Sequence, residues 1–326
     1  MNSGQRPQKI LLVKMSSLGD VVHNLPAATD IRRYRPDTII DWVVEEQYVP
    51  LVSMHPAVNR VIPVALRRWR RSPLSVANWR EFGALRKALR EHAYDAIVDT
   101  QGLLKSALVA KLARGPIIGF GPGTVREPIA SRLYDTTIEF PPQGHKVSLY
   151  RSFVAQALGY AVAAGIDYGI APRVPVPRIA TGRYYLAFHA TARAEKLWQE
   201  ANWVALLRRL EKAGYACILP WGSDEEHARS ERIAASSSTA IIPSRLSLDD
   251  MAALISGADF VVGVDTGLMH LAAALTRPVV GIYCNSDPVD VGPVGPGPTV
   301  HRGHIGAPPT VDDVADAIGE VARISI

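Results

Sequence analysis

Five short motifs carry the side chains with which this chain could do chemistry. The first, KMSSLGDVVHNLP, begins at Lys14 and places one carboxylate, Asp20, in a turn of small residues. Asp20 follows an apolar run that predicts the first buried strand. An aspartate here is either a helix N-cap, because Asp is a favoured capping residue, or a general base that takes a proton from an attacking hydroxyl. The local pattern favours the cap, while Gly19 leaves room for a ligand.

The second motif, VGVDTGLMHLAAAL, predicts a buried strand that runs directly into a helix. Backbone N–H groups and the helix dipole make such a junction a good site for phosphate. Gly267 allows close approach of a ligand, Asp265 could hold a sugar hydroxyl, and His270 lies about one turn into the helix. A capped helix with a packed histidine explains the same residues, and the pattern alone leaves both interpretations open.

Two further motifs also follow predicted strands. In FHATARAEKLW, Thr191 offers a hydroxyl and Lys196 a cation that could neutralise the charge of a diphosphate leaving group. An ordinary surface lysine is the alternative. In LPWGSDEEHARSE, Glu225 and Glu226 stand at a predicted helix start, where an acid either binds a ribose diol or complements the helix dipole. The dipole is the better explanation for Glu225.

The fifth motif, RRWRR, lies in a strongly basic stretch. No Asp or Glu occurs from Gln47 to Arg80. Three interpretations of this run are open: a solvated charged surface, a nucleic-acid contact, or a binding site for a phosphorylated, carboxylated acceptor. The third is reasonable because guanidinium groups bind both phosphate and carboxylate. One short block without aromatic residues elsewhere is thin support for nucleic acid. Lys105 and Arg126 are further cations expected in loops of the same half.

Length and composition set the frame for these motifs. The chain has 326 residues, 48% hydrophobic and 21% charged, with a net charge of +5, which is typical of a soluble protein of one or two domains. It contains no P-loop, no intact GxGxxG, no HExxH and no Asp-x-Asp pair. A nicotinamide cofactor is therefore poorly supported. The sequence requires no metal and no other cofactor.

Apolar runs that predict strands alternate with helical patterns in the first half, as in a mostly parallel sheet covered by helices. The expected strands are Lys9–Met15, Ile39–Glu45, Arg60–Leu66, Asp95–Thr100 and Pro116–Phe120. The expected helices are Pro26–Tyr34, Trp79–His92, Leu103–Ala113 and Val147–Tyr160.

A stretch rich in proline and glycine, Ala164–Arg183, interrupts the alternation and predicts a linker. Beyond it the same pattern restarts, so we expect two α/β halves with a cleft between them. The strands expected there are Tyr184–Ala190, Tyr215–Trp221, Thr239–Pro243, Phe260–Asp265 and Pro278–Cys284. The helices are Trp203–Lys212, Asp224–Ala235, Leu248–Ser256, Leu268–Leu275 and Val311–Val321, with Ser247 and Thr310 as caps and a loop over Asp290–Val300.

Cysteine use and the absence of targeting signals indicate the compartment. Cys217 and Cys284 lie in apolar runs without metal or CxxC spacing, which predicts buried, reduced thiols. No signal peptide and no apolar run of membrane-spanning length is recognisable. We therefore expect a cytoplasmic protein.

Seven motifs together resemble those of the lipopolysaccharide heptosyltransferase I family. They are, in chain order, KMSSLGDVVHNLPA, DWVVEE, RVIPVALRRWR, DTQGLLKSA, REPIAS, LPWG and VDTGLMHLAAAL. The resemblance as a whole runs from near residue 9 to the C-terminus. The resemblance implies a GT-B fold, in which two Rossmann-like domains with parallel sheets face each other across a central cleft. It implies an inverting glycosyltransferase that moves L-glycero-D-manno-heptose from ADP-heptose to the Kdo of Kdo-lipid A.

The resemblance also implies roles for individual residues. Asp20 matches the catalytic base, and Lys196 matches a catalytic and donor-binding residue. The other donor-binding positions are Thr191, Glu226 at the ribose, Leu246 at the adenine, Asp265, Thr266, Gly267, Leu268 and His270. The acceptor-binding positions are Ser17, Arg67, Arg68, Arg70, Arg71, Lys105 and Arg126. Ala192 departs from the family, which often has a second threonine there, so one phosphate contact is in question.

The same resemblance divides the chain by function. Residues 1–165 are expected to form the acceptor-binding domain, 166–183 the linker and 184–309 the ADP-heptose-binding domain, with a last helix, 310–326, that could pack back on the first domain. The expected partners are ADP-heptose, Kdo-lipid A and the anionic cytoplasmic face of the inner membrane, without nucleic acid. The rival hypotheses are heptosyltransferase II-type transfer onto a heptose acceptor and a non-catalytic nucleotide-sugar binder.

Overall fold

The computed structural model of the chain describes residues 9–140, 144–179 and 182–324. The chain divides into two compact units, of which the first ends at Gly169 and the second begins at Ile170. Each unit contains one parallel six-stranded sheet whose strands are connected through helices. The predicted α/β class with two parallel sheets is confirmed.

The four central strands of the first unit are buried and mostly apolar, whereas its two edge strands are partly exposed. Its strands are β1 Lys9–Val13, β2 Ile39–Glu45, β3 Val58–Val64, β4 Ala96–Asp99, β5 Ile117–Phe120 and β6 Thr136–Ile138. Its helices are α1 Leu18–Tyr34, α2 Val49–Ser53, α3 Leu66–Trp69, α4 Val76–Arg90, α5 Leu104–Ala110 and α6 Lys146–Leu158, with 3₁₀ turns at Glu46–Tyr48 and Pro128–Leu133.

The second unit repeats this architecture. Its strands are β7 Tyr184–Phe188, β8 Ala216–Ile218, β9 Ala240–Ile241, β10 Phe260–Val264, β11 Val279–Ile282 and β12 Thr299–Arg302. Its helices are α7 Glu200–Lys212, α8 Asp224–Ala234, α9 Leu248–Gly257, α10 Gly267–Ala274, α11 Pro288–Val291 and α12 Val311–Ala322, with a 3₁₀ turn at Ala194–Lys196. The predicted caps are confirmed, since Ser247 and Thr310 accept the backbone N–H of Asp250 and Asp313.

The two sheets have the same strand order. It is β3-β2-β1-β4-β5-β6 in the first unit and β9-β8-β7-β10-β11-β12 in the second. In both, the first and fourth strands lie side by side at the centre and are parallel, with Ile10 opposite Ala96 and Leu186 opposite Val261. This is the Rossmann order, in which ligands bind beyond the carboxyl ends of the two central strands.

Helix α1 begins earlier than the sequence predicted. The prediction started at Pro26, because Gly19 and an internal proline are unfavourable in a helix. The structure starts the helix at Leu18 and carries it through Pro26. Val21, Val22 and Leu25 are completely buried, so packing against the sheet outweighs the local preferences of the chain.

Several short elements were missed, and their boundaries show why. Strand β12 begins at Thr299, and α11 covers Pro288–Val291, where the sequence predicted a loop over Asp290–Val300. Glycine and proline dominate that stretch, yet β12 gains its hydrogen bonds by pairing in parallel with β11. Strand β3 also starts at Val58, two residues before its predicted position, and ends at Val64. Pairing partners that are distant in sequence fix these ends.

Helix α12 packs on the second sheet. Val314, Ala317, Ile318 and Val321 belong to the apolar core that also contains strands β7 to β11. The suggested packing of residues 310–326 on the first domain stays a prediction. Cys217 is buried in the same core, as predicted. Cys284 is a half-buried free cysteine that lies beyond the end of β11.

Candidate active site

The first group of candidate residues lies beyond the carboxyl ends of β1 and β4. Lys14, Ser17 and Asp20 follow β1, and Gln101 follows β4. The side-chain oxygen of Gln101 accepts the backbone N–H groups of Met15 and Ser16, at 3.0 and 3.1 Å. These bonds tie the two central loops together at the position where a Rossmann sheet binds its ligand.

Asp20 is held by three donors. The backbone N–H and the hydroxyl of Ser17 both donate to Asp20 Oδ2, at 3.1 and 2.9 Å, and the Tyr150 hydroxyl donates to Oδ1 at 3.1 Å. Ser17, not Asp20, occupies the N-cap position of α1, and Asp20 is the third helical residue. The N-cap interpretation of Asp20 is therefore wrong in position, although its carboxylate does satisfy an N–H at the helix start.

The pKa of Asp20 lies below its usual range because two opposing effects do not cancel. Burial raises the pKa, since a low dielectric disfavours the charged form. The positive charge of Lys14 and the hydrogen bonds from Ser17 and Tyr150 outweigh burial and lower it. Asp20 is thus ionised at neutral pH, which is the state in which a carboxylate can accept a proton.

Lys14 is a site residue that the sequence analysis did not single out. Its side chain is buried, its Nζ donates to the carbonyl of Thr100 at 3.0 Å, and it lies 3.8 Å from the centre of the Tyr150 ring. Burial lowers the pKa of Lys14 to about 8, against the opposing charges of Asp20 and Asp99. A lysine directly after β1, inside the quoted motif, was the available signal.

A cavity of about 300 Å³ with mixed polar and apolar walls opens beside Asp20. Three cationic side chains, Lys14, Arg126 and Lys146, line it together with Asp20 and Tyr150. The structure therefore brings one predicted acceptor-binding residue, Arg126, to the same cavity as the predicted base. Such a cavity suits a ligand that combines hydroxyl groups with negative charge.

The arginines of the basic stretch do not share one environment. Arg68 forms ion pairs with Glu46 at 2.9 Å and with Glu81 at 2.8 Å, and its hydrogen bonds to both carboxylates raise its pKa. Arg70 and Arg71 are exposed and pair with no carboxylate among the described residues. Arg68 thus acts within the fold, and the other two arginines have the more accessible guanidinium groups.

Arg67 and Lys105 lie near the buried carboxylate of Glu45. Burial raises the pKa of Glu45, and the charges of these two residues oppose that rise. Lys105 belongs to the first turn of α5, not to a loop as the sequence suggested, and its side chain is exposed. The predicted acceptor-binding cations therefore lie in the segments that follow β3, β4 and β5.

The second group lies beyond the carboxyl ends of β7 and β10. Lys196 Nζ contacts Asp265 Oδ2 at 2.5 Å, and the Ser286 hydroxyl donates to the same oxygen at 2.9 Å. The Thr191 hydroxyl donates to the backbone carbonyl of Asp265 at 2.8 Å. The structure brings Thr191, Lys196 and Asp265 together as the sequence predicted, and it adds Ser286, which no motif indicated.

Helix α10 begins directly after this cluster. Thr266 is its N-cap residue, Gly267 is its first residue and Leu268 is half-buried behind them. His270 lies within the first turn and is 6% exposed. The start of the helix therefore presents backbone N–H groups beside Lys196 and Asp265, as an anion site requires.

The remaining donor-site candidates stand beside β8 and β9. Glu226 Oε2 accepts the backbone N–H of Gly222 at 2.7 Å, and the backbone of Glu226 is capped by Ser223. The Glu226 carboxylate therefore satisfies an N–H group just before α8, and Ser223 satisfies one inside its first turn. Leu246 is half-buried in the segment between β9 and α9. Their contacts with ribose and adenine stay predictions.

Within 9–140, 144–179 and 182–324, no group of three or more His, Cys, Asp or Glu side chains is arranged to hold a metal ion. In the same ranges, every helix is too short or too polar to cross a membrane.

The fold and the site define a class of protein. Two Rossmann-ordered units, one with an ionised carboxylate beside a cationic cavity and one with a lysine at a helix start, are the elements of a GT-B glycosyltransferase. A family model for glycosyltransferase family 9 (heptosyltransferase) matches residues 82–317. The chain belongs to this family.

Known proteins place the chain more closely within that family. It is 43% identical to lipopolysaccharide heptosyltransferase 1 of Salmonella typhimurium over 88% of this chain and 92% of the relative. It is 26% identical to heptosyltransferase 2 of Escherichia coli over 86% and 84%. Structures of E. coli heptosyltransferase WaaC with ADP and with ADP-2-deoxy-2-fluoro heptose match at TM-scores of 0.90 and 0.85, with 40% identity over 96% of this chain and 99% of theirs.

Proposed function

We propose that this protein transfers L-glycero-D-manno-heptose from ADP-heptose to the Kdo of Kdo-lipid A, with inversion at the anomeric carbon and Asp20 as general base. The observation that carries the proposal is the Asp20 carboxylate, which is ionised, fixed by Ser17 and Tyr150, and exposed to a cavity with three cations. Heptosyl transfer agrees with the family of the chain and with its 43% identity to a heptosyltransferase 1.

The proton goes to one particular oxygen of Asp20. Oδ2 already accepts two hydrogen bonds from Ser17, whereas Oδ1 accepts one from Tyr150. A carboxylate oxygen has about two acceptor positions, so Oδ1 has capacity left for the acceptor hydroxyl. The lowered pKa makes Asp20 a weak base. A weak base suffices, because the hydroxyl becomes acidic as its oxygen bonds to an oxocarbenium-like anomeric carbon.

The leaving group is ADP, which departs as the new glycosidic bond forms on the opposite face of the sugar. Its diphosphate gains negative charge, and Lys196 and the N–H groups at the start of α10 stabilise that charge. Thr191 and Asp265 position this cluster, and Asp265 holds Lys196 until the diphosphate binds. Glu226 would bind the ribose and Leu246 the adenine. The cation therefore replaces a proton donor to the leaving group.

The acceptor carries phosphates and carboxylates, which match the cations of the first unit. Arg126 lies in the cavity of Asp20, and Arg70 and Arg71 have no carboxylate partner among the described residues. Guanidinium groups bind both kinds of anion through paired hydrogen bonds. Arg68 is a weaker candidate, since Glu46 and Glu81 already engage it.

We further propose that the protein works at the cytoplasmic face of the inner membrane. The stretch from Gln47 to Arg80 has no acidic residue, and each Lys or Arg near an anionic leaflet contributes about 1 kcal/mol of attraction. Kdo-lipid A is itself a membrane lipid, so a basic surface would bring enzyme and acceptor together.

The deciding experiment follows ADP release from ADP-heptose with two acceptors in parallel. Kdo-lipid A should support turnover, and an acceptor already carrying the first heptose should not. The configuration of the product, read by NMR coupling constants, should be inverted relative to the donor. Turnover only with the heptosylated acceptor would instead establish type II transfer. ADP-heptose binding without turnover on either acceptor would favour the non-catalytic hypothesis.

A further inference from the structure

In the first unit, three large apolar side chains are exposed within one segment of six residues. Leu74 is 91% exposed, and Val76 and Trp79 are each 65% exposed. Leu74 lies in the segment between α3 and α4, and the other two lie in the first turn of α4. Single exposed apolar residues are ordinary, but a cluster of this kind marks an interaction surface. We refer to these three residues as the apolar patch.

An open apolar cavity of about 350 Å³ adjoins the apolar patch. Its walls include Leu66, Trp69, Pro73, Trp79 and Phe82. Phe82 makes edge contacts with both tryptophans, with ring centres 6.1 and 6.4 Å apart. The indole N–H of Trp69 donates to Glu81 at 2.8 Å. The walls are therefore fixed, and the cavity is a preformed place for an apolar chain.

Three arginines lie close to the apolar patch in sequence, and Arg70 also lines the cavity. Arg70, Arg71 and Arg80 are exposed, and none of them pairs with a carboxylate in the part of the chain that the structure describes. The nearest acidic residue, Glu81, is committed to Arg68 and Trp69. Apolar and aromatic side chains bordered by arginines are typical of segments that lie in the plane of an anionic membrane surface.

We propose that the apolar patch inserts into the acyl layer of an anionic phospholipid bilayer, with Arg70, Arg71 and Arg80 at the head groups and an acyl chain in the adjoining cavity. The charge favours this occupant over a second copy of the chain, because two copies would bring like charges together. The inference rests on the proposed membrane contact. It adds that the contact is hydrophobic and persists when salt screens the arginines.

The test uses the full chain and vesicles, without donor or acceptor. Binding to vesicles of phosphatidylglycerol and phosphatidylcholine is measured by co-sedimentation at low and high salt. The variant carries Leu74→Ser, Val76→Ser and Trp79→Ser, all at exposed positions. We expect its high-salt partitioning to fall at least about tenfold relative to wild type, because three apolar side chains no longer leave water.

The matched control replaces exposed apolar residues elsewhere. Val289 and Ile305, which are 78% and 61% exposed in the second unit, are changed together to serine, and we expect binding to stay at the wild-type level. A second measurement locates the insertion. Quenching by lipids brominated along the acyl chain should be larger for wild type than for Trp79→Phe, and the difference reports Trp79 alone.

The outcomes separate this inference from the proposed enzymatic activity. Activity on a water-soluble, deacylated acceptor should be unchanged in the triple variant, because the patch does not touch the reacting groups. Equal vesicle binding by wild type and the triple variant would overturn the insertion. So would the absence of any acyl-chain quenching of Trp79. Self-association of wild type that the triple variant lacks, measured by light scattering without lipid, would also overturn it by assigning the patch to a second copy.

Discussion

Each unit places a lysine and an aspartate at or beyond the carboxyl ends of the first and fourth strands of its sheet, but in different environments. In the first unit, Lys14 follows the first strand and Asp99 ends the fourth. In the second unit, Lys196 follows the first strand of the sheet, and Asp265 follows the fourth. Each unit therefore has a lysine and an aspartate where a Rossmann sheet binds its ligand.

The lysine and the aspartate of the first unit, Lys14 and Asp99, are buried and already hydrogen-bonded within the fold. Asp99 accepts the Tyr134 hydroxyl at 2.9 Å and the N–H of Gln101 at 2.8 Å, while Lys14 donates to the carbonyl of Thr100. In the second unit, the side chains of Lys196 and Asp265 are 19% and 12% exposed and contact each other directly. A buried, satisfied lysine sets the charge state of its neighbour Asp20. An accessible ion pair can exchange one partner for a ligand.

The largest expected effect comes from Asp20→Asn. If the first unit supplies the base, the variant should keep its fold and its affinity for ADP, and it should lose a factor of at least roughly a hundred in kcat. Steady-state ADP release with Kdo-lipid A measures this loss. Asp37→Asn, at an exposed turn, is the control and should retain activity. Equal turnover of Asp20→Asn and wild type would reduce Asp20 to a structural element of α1.

Lys196→Met tests the accessible pair. We expect kcat to fall roughly a hundredfold, because the diphosphate departs without its cation. Lys212→Met, which removes an exposed lysine from α7, controls for the change in net charge. A rise in KM at unchanged kcat would mean that Lys196 contributes only to ground-state binding. Lys196 would then have no role specific to the transition state.

Lys14→Met tests the buried pair through stability. The pKa of Lys14 is about 8 in the folded protein, against 10.5 for an ordinary lysine, so between these values the unfolded chain binds more protons. The stability of wild type relative to the variant should therefore rise by about 2 kcal/mol from pH 7 to pH 10. Urea unfolding at both pH values measures this difference. If the difference in unfolding free energy between wild type and variant is the same at both pH values, burial does not lower the pKa of Lys14.

The smallest effect is expected from Tyr150→Phe, which removes one hydroxyl donor and keeps the ring under Lys14. Asp20 then loses one of the bonds that lower its pKa. The acid limb of the pH profile of kcat/KM should move to higher pH, because the carboxylate protonates earlier. Tyr168→Phe, a buried tyrosine of the same unit, controls for the lost hydroxyl. A shift to lower pH would contradict the proposed stabilisation of the carboxylate.

The sequence predicted elements with local signals better than elements that depend on distant partners. Strand Ile39–Glu45 was predicted correctly at both ends, and α8, α9 and α12 begin at their predicted residues, each after a Ser or Thr cap. Helix α1 carries the same local cap pattern in Ser17 and Asp20, but its early start also depends on burial of its first turns, which no local preference reveals. Short strands such as β12 exist because a neighbour pairs with them.

The site was predictable where its residues belong to motifs that directly follow strands, and was missed elsewhere. The motifs around Asp20 and Asp265 are recognisable in the sequence because each places small residues after an apolar run. Tyr150 lies 130 residues from its partner Asp20, so no spacing could connect the two. The engagement of Arg68 by Glu46 and Glu81 was hidden in the same way, and the four arginines therefore looked equivalent.

Helix α12 has a consequence for how the protein is made. Synthesis proceeds from the N-terminus, so all six strands of the first unit precede Gly169 and can assemble while the rest of the chain is still being translated. The core of the second unit lacks Val314, Ile318 and Val321 until these last residues have been added. A chain truncated shortly before these residues would contain a complete first unit and a second unit whose apolar core is exposed to water.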